Sequence, residues 1–518
     1  MGYMLRSFVG ICICAPCMLS AQVDSIRLKY GNTITQEDLR KHLEVLASDA
    51  YEGRETGAQG QKMAASYIRE QFVSYGIPPV PDAEEKGLIN GYEQPFPLEL
   101  TRPGGLSLIV NGTPIGFMQE FFYLSERLRE DYSTDKVVFA GMGDQDPGPD
   151  ARGGTVLVLD KGSGTTATDR PSRELFQRIT RLAAMAEQAG ARVLLIASPD
   201  TREMMRQFAH YITQPRMRLV EEKAEAAPAR TGIQTIILDK ATAERMLRTG
   251  RMTWKKALRS AQKPPRTLPC SFAARFVPNE QRLQGENVLG YVEGSDKKDE
   301  LVVVTAHYDH IGTDHEDVYN GADDDGSGTV AVLEMAEAFA QAKRDGHGPR
   351  RSVLFMPVSG EEKGLLGSEW YSEHPVFPLE STVADLNIDM IGRTDSAHAH
   401  GAPYVYIIGS DRLSTELHRI NEAANATYTH LELDNTFNAA DDPNRFYYRS
   451  DHYNFAKHGV PVIFYFSGVH EDYHQPGDEV DKIRFDLLQQ RARLVFYTAW
   501  ELAGREQRIV VDRPIPKE

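Results

Sequence analysis

The chain has 518 residues, a formal net charge of −16 and only four cysteines. That length is too great for one hydrophobic core, so two domains are expected. The acidic balance disfavours nucleic acid and anionic membrane surfaces as partners.

Met1–Ala21 has one basic residue, Arg6, a short apolar core over Ser7–Leu19, and Ser20-Ala21 before polar Gln22. The core is too short to span a bilayer and reads as a secretory signal peptide cut near Ala21, so the protein is expected to be exported, periplasmic or extracellular. Cys12, Cys14 and Cys17 lie in this leader, and none follows the small-residue pattern of a lipid-anchor site, so lipidation of Cys17 is disfavoured. Cleavage would leave Cys270 alone, with no intrachain disulfide. No later segment is apolar enough for a membrane span.

Residues 22–114 begin with two helices. Thr35 with Glu37 and Asp38 marks a helix start, followed by Leu39, Leu43 and Leu46 at helical spacing. Tyr51–Gly57 interrupts the pattern, and Gln61–Tyr75 resumes it with Ala64, Ala65, Ile68 and Phe72 on one face. The pair reads as a structural hairpin, with Arg54 and Glu55 outside any site. Texture then changes over 115–265. Thr155–Leu159, Arg192–Ala197 and Gln234–Leu238 read as short strands, with an alanine-rich helix between the first two that stops at Gly190. The stretch offers no metal-ligand spacing, and Arg216–Arg230 reads as a solvated loop or helix.

From 266 to 508, ahead of a tail at 509–518, four buried-strand patterns each lead into polar chemistry. Leu301–Ala306 ends in His307-Tyr308-Asp309, with Asp323-Asp324-Asp325-Gly326-Ser327-Gly328 following before a helix. Ser352–Val358 ends in Ser359-Gly360-Glu361-Glu362; Val383–Ile388 ends in Asp389. Pro461–Phe466 precedes the loop Tyr473-His474-Gln475-Pro476-Gly477-Asp478. Three adjacent aspartates repel one another and suit a cation, and open α/β sheets gather ligands at the carboxyl ends of their strands. Two histidines, three carboxylates and an adjacent glutamate make a two-metal hydrolytic site. Of the other histidines, His310, His315, His398, His400, His430, His458 and His470 read as structural or solvated; His452 is the best outer-layer candidate. Glu432 and Asp434 read as loop charge.

Together HYD, GADDDGSG, SGEEKGLLGS, NIDMIG and YHQPGDEVDKI resemble the two-zinc aminopeptidase, glutamate carboxypeptidase and transferrin receptor family of zinc exopeptidases. LASDAYEGRETGAQG resembles the opening of that family, while GGTVLVLDKG and AMAEQAGARVLLIAS resemble its inserted protease-associated domain. The resemblance implies an α/β fold of the phosphorylase/hydrolase-like kind. Its central sheet would be mixed and mostly parallel, with helices on both faces, and a small β-rich domain would be inserted at 115–265. It implies that His307 and Asp389 bind one zinc, Glu362 and His474 the other, and that Asp324 bridges them. Glu361 would be the general base, Asp309 would orient His307, and Tyr473 would polarise the substrate carbonyl. The Asp324–Asp325 peptide bond would be cis. Nitrogen and carboxylate ligands without thiolate favour zinc, with manganese or cobalt able to substitute.

The substrate expected is a peptide or protein with a free N-terminus. A carboxypeptidase would need an arginine cluster, for which Arg393, Arg445 and Arg449 are scattered candidates. A glutaminyl cyclase fits less well, since the Glu361-Glu362 pair and Asp324 suit two metals. A receptor-like binding protein would have lost ligands that this chain keeps.

Overall fold

In a computed structural model, residues 24–162, 173–220, 232–260 and 263–515 are described. The leader and its three cysteines lie outside them. The chain divides into two compact units, Met1–Phe96 with Gly285–Glu518, and Pro97–Gln284.

The first unit is built on seven strands: β1 Gly290–Val292, β2 Lys297–His307, β3 Arg351–Val358, β4 Thr382–Ile388, β5 Tyr404–Ile408, β6 Glu432–Asp434 and β7 Val462–Phe466. Their spatial order is β1-β3-β2-β4-β7-β5-β6. Four neighbour pairs are parallel, while β1 against β3 and β5 against β7 run antiparallel. β3, β4, β5 and β7 are buried along their whole length. Alternation assigns the two faces. Val302, Val304 and Ala306 enter one core with helices Gln36–Leu46, Gln59–Ser74, Gly328–Arg344 and Phe485–Gly504. Leu301 and Val303 enter another with Tyr371 and Phe455 of helices Leu366–Glu373 and His452–Ala456. Helices therefore cover both faces, and the apolar run of each inner strand is the direct result.

Gln36–Leu46 is capped by Thr35, whose hydroxyl accepts from the Asp38 N–H, and it buries Leu39, Leu43 and Leu46. Gln59–Ser74 buries Ala64, Ala65, Ile68 and Phe72.

The second unit contains a six-stranded and a four-stranded sheet. Thr155–Leu159, Val193–Ser198 and Gln234–Asp239 lie side by side and parallel in the first. The unit is larger than the 115–265 expected, because Leu106–Val110 pairs with Phe272–Phe276, and Thr113–Ile115 pairs back on it. Those pairings join residues far apart in the chain, and no local change in texture marks them. Arg216–Leu219 forms a strand against Leu98–Thr101, correcting the loop or helix expected at the start of Arg216–Arg230. Residues 221–231 lie outside the described residues. Cys270 is free and buried. Among the described residues no helix is long and apolar enough to cross a membrane.

Candidate metal centre

The carboxyl ends of β2, β3, β4 and β7 bring the five expected ligands together. His307 Nε2 lies 3.2 Å from Asp324 Oδ1 and 3.7 Å from Asp389 Oδ1. His474 Nε2 lies 3.2 Å from Asp324 Oδ2 and 3.3 Å from Glu362 Oε2. Two triads thus share Asp324, one through each of its carboxylate oxygens. Glu361 Oε2 stands 4.0 Å from His307 Nε2.

The donor types and spacing of these residues suit zinc. For metal–ligand bonds of about 2.0–2.1 Å, tetrahedral donors stand roughly 3.3 Å apart, close to the spacing within each triad. His307 Nε2, Asp324 Oδ2 and Glu362 Oε1 are buried, and each faces another ionisable side chain at ion-pair distance without a well-formed hydrogen bond. Buried carboxylates this close are costly unless a cation compensates them. The titration directions show the same tension. Burial, with Glu362 and Asp389, pushes the Glu361 carboxyl well above its usual range, against the opposing pull of His307. Burial alone would lower the His307 imidazole, yet Glu361, Asp324 and Asp389 carry it well above its ordinary value.

Each member of the aspartate run does a different job. Asp325 is buried and its oxygens accept the N–H groups of His307 (3.2 Å), Gly328 (2.9 Å) and Met390 (3.0 Å). Asp323 accepts from Gly392 N–H at 2.6 Å, and Ser327 Oγ from Ile391 N–H at 2.9 Å. Three consecutive amides after Asp389 are therefore held by this one turn. The Asp324–Asp325 peptide bond is cis.

Other expected roles shift. Asp309 meets His307 Nδ1 through its backbone carbonyl at 3.0 Å, while its carboxylate stands at 3.7 Å. That carboxylate accepts instead from Thr56 Oγ1 (2.6 Å) and from the Glu361 N–H (3.3 Å), so it positions the neighbouring loop. The Tyr473 ring stacks on His474 at 3.9 Å, and burial raises its hydroxyl well above the usual range. Tyr473, Glu361 and Asp389 line a cleft whose apolar wall includes Met390, Phe446, Phe464 and Phe466.

His452 is not next to the ligands. It is buried between Phe464 and Tyr447, and burial lowers it to about 3. Two positions earlier, Ser450 Oγ donates to Asp389 Oδ2 at 2.6 Å. Two histidines read as structural or solvated stand beside the centre: His310 Nδ1 is 2.8 Å from Glu362 Oε1, and His470 Nε2 is 3.3 Å from Asp323 Oδ2. The fourth residue of His307-Tyr308-Asp309-His310 was the available signal for the first. Asp434 pairs with His398 at 3.3 Å. Arg54 binds no ligand side chain, but it is 1% exposed and donates to the carbonyls of Leu46, Tyr308, Asn320 and Gly321. It braces two of the ligand-bearing loops. The three candidate arginines have different partners: Arg393 pairs with Asp472, Arg445 lies over Tyr448, and Arg449 reaches Tyr473 at the cleft.

A mixed α/β sheet whose strand ends gather buried histidines and carboxylates has the architecture of a metal-dependent hydrolase. Residues 287–499 match the model of Peptidase family M28. A probable leucine aminopeptidase of Arthroderma otae is 31% identical over 215 residues, 40% of this chain and 55% of the relative. Aminopeptidase YwaD of Bacillus subtilis is 27% identical over 231 residues, 43% and 46% of the two chains. A probable zinc metalloprotease of Pyrenophora teres is 27% identical over 252 residues, 42% and 51%. The chain spans about half the length of the curated relatives it matches. Over nearly the full length, the aminopeptidase from Aneurinibacillus sp. strain AM-1 superposes with a TM-score of 0.51 at 18% identity, covering 95% of this chain and 98% of that one. That likeness shows the fold.

Proposed function

We propose that this protein is an exported two-zinc aminopeptidase. The observation that carries the reading is the division of Asp324, whose two oxygens each stand in ligand range of a different histidine. His307 and Asp389 would hold one zinc, Glu362 and His474 the other, with Asp324 between them. The chemistry such ions supply when bound is Lewis acidity and a water nucleophile at neutral pH.

Glu361, next in the chain to Glu362, faces the shared space and takes the proton of the attacking water, then returns it to the departing amine. Tyr473 donates its O–H to the carbonyl oxygen as negative charge develops there. Asp309, through its carbonyl, keeps the His307 ring turned so that Nε2 faces Asp324. The apolar wall of the cleft accommodates a hydrophobic side chain. The M28 family and the aminopeptidase names of several relatives support a free N-terminus on the substrate. Arg449 alone of the three candidate arginines lines the cleft and Arg393 is engaged by Asp472, which favours a free N-terminus over the arginine cluster a carboxypeptidase needs. The second unit, Pro97–Gln284, is read as a protease-associated domain that shapes access and does no chemistry.

The test compares aminoacyl p-nitroanilides, their N-acetylated forms and C-terminal reporter peptides, before and after chelation, with metal analysis alongside. The expected result is hydrolysis of free-amine substrates only, lost on chelation and restored by zinc, with two zinc ions per chain. Full activity in a metal-free preparation overturns the reading; hydrolysis from the C-terminus turns it toward a carboxypeptidase.

A further inference from the structure

The turn carrying Asp324 is gripped from two sides by residues remote in sequence. On its carbonyl side Arg54 donates to Asn320 O at 2.7 Å and to Gly321 O at 3.0 Å. On its amide side stands Asp478, fully buried. Its Oδ1 and Oδ2 accept from the Asp323 N–H at 3.1 and 3.0 Å, and Oδ2 also accepts from the Asp324 N–H at 3.0 Å. Its own carbonyl accepts from the Ala322 N–H at 3.1 Å.

A carboxylate buried beside Asp323 and Asp324 is an expensive way to hold a turn, and packing alone does not call for one. Asp478 lies four residues beyond His474, in the same loop. It therefore ties the backbone of the shared aspartate to the segment that delivers the second histidine. We propose that Asp478 is a positioning residue of the metal centre, locking Asp324 and His474 together so that the two donors of the second triad keep their separation. Among the described residues the Asp478 carboxylate accepts from the backbone N–H groups of Asp323 and Asp324 and from no ligand side chain. The first triad has its own supports: Ser450 on Asp389, the amide lock after Asp389, and the Asp309 carbonyl on His307. Asp324 serves both triads, so loss of Asp478 should weaken both but fall most heavily on the second zinc, whose histidine shares its loop.

The proposal rests on the two-metal reading, and the experiment separates the two. Zinc binding to the full chain is followed by calorimetry and metal analysis for the wild type, Asp478→Asn and Asp478→Ala. Visible absorption of the cobalt-loaded proteins reports ligand geometry independently of turnover, and Lys482→Ala, which removes one of the two cationic partners of Asp472 in the same loop, controls for general loosening. The asparagine variant keeps the shape of the side chain but turns an N–H toward backbone N–H groups. Expected is a second zinc bound ~10–100-fold more weakly, as for loss of other groups that orient ligands, with a smaller loss at the first and an altered cobalt spectrum; Lys482→Ala should leave both unchanged. Wild-type binding of both zincs in Asp478→Asn overturns the proposal, and so does equal weakening at both positions. If Asp478→Ala does not fold, Asp478→Asn decides. A wild type that holds one zinc overturns the two-metal reading and the proposal with it.

Discussion

Glu361 and Glu362 are neighbours in the chain but face different tasks, and the difference is measurable. Glu362 Oε2 belongs to the second triad, whereas Glu361 stands at the edge of the first with its backbone held by Asp309. Glu361→Gln should keep both metals and lose on the order of a hundredfold or more in turnover. Glu362→Gln should lose metal first, and activity as a result. Metal analysis beside initial rates checks the pair; matching behaviour would show the roles to be wrongly divided. Arg54 offers a prediction of another kind. Arg54→Met would leave four buried carbonyl contacts unfilled beside Asp309, Asp324, Asp325 and Asp478. A loss of at least ~3 kcal/mol is expected from urea unfolding, since removing one partner strands the others. An unchanged midpoint would contradict the bracing role.

Elements whose meaning is local were legible along the chain. The apolar runs of β2, β3, β4 and β7 end at or just before the residues that converge, and period and composition alone mark such runs as strands buried on both faces. The convergence of the five residues was legible because strand ends are where an α/β sheet gathers polar side chains. What was not legible joins distant segments. Arg54 meets Tyr308 across 254 positions and Asp309 meets Thr56 across 253, so neither contact leaves a spacing to read. Ser450 has no ligand chemistry of its own to mark it: in Arg449-Ser450-Asp451-His452, just before β7, the histidine is the expected outer-layer residue, yet its ring packs on Phe464 and Tyr447. The limits of the second unit were misjudged because Leu106–Val110 and Phe272–Phe276 recognise each other only in the folded sheet. The unit nevertheless allows a clean deletion, since Phe96, the last residue before it, packs its ring against Gly285, the first after it. Replacing Pro97–Gln284 by a short glycine–serine linker should preserve zinc content and alter the preference for substrate size. Loss of zinc from a folded deletion variant would argue against its being a separable module.

At the scale of the whole molecule, metal and stability are coupled. His307, Asp309, Asp324 and Asp325 are almost wholly buried, and the burial of their charges opposes folding unless something compensates. Ligands that bind only the folded state raise its stability by mass action, by about 2.7 kcal/mol at a hundredfold excess over Kd. Chelation should therefore lower Tm, and zinc restore it in proportion to the logarithm of its concentration. A Tm insensitive to zinc would mean that the cluster is compensated by protein groups alone.

The braces on the centre also bear on which part of the chain is autonomous. Every proposed ligand, from His307 to His474, falls within the 287–499 segment that matches the peptidase family model. Arg54 and Thr56, which hold the carbonyls and the carboxylate behind those ligands, belong to a stretch some 230 residues upstream. A shortened protein starting at 287 would thus carry a complete list of ligands and an unsupported scaffold, its loops free to part. Sequence matching marks where the chemistry is written; the foldable unit begins much earlier in the chain.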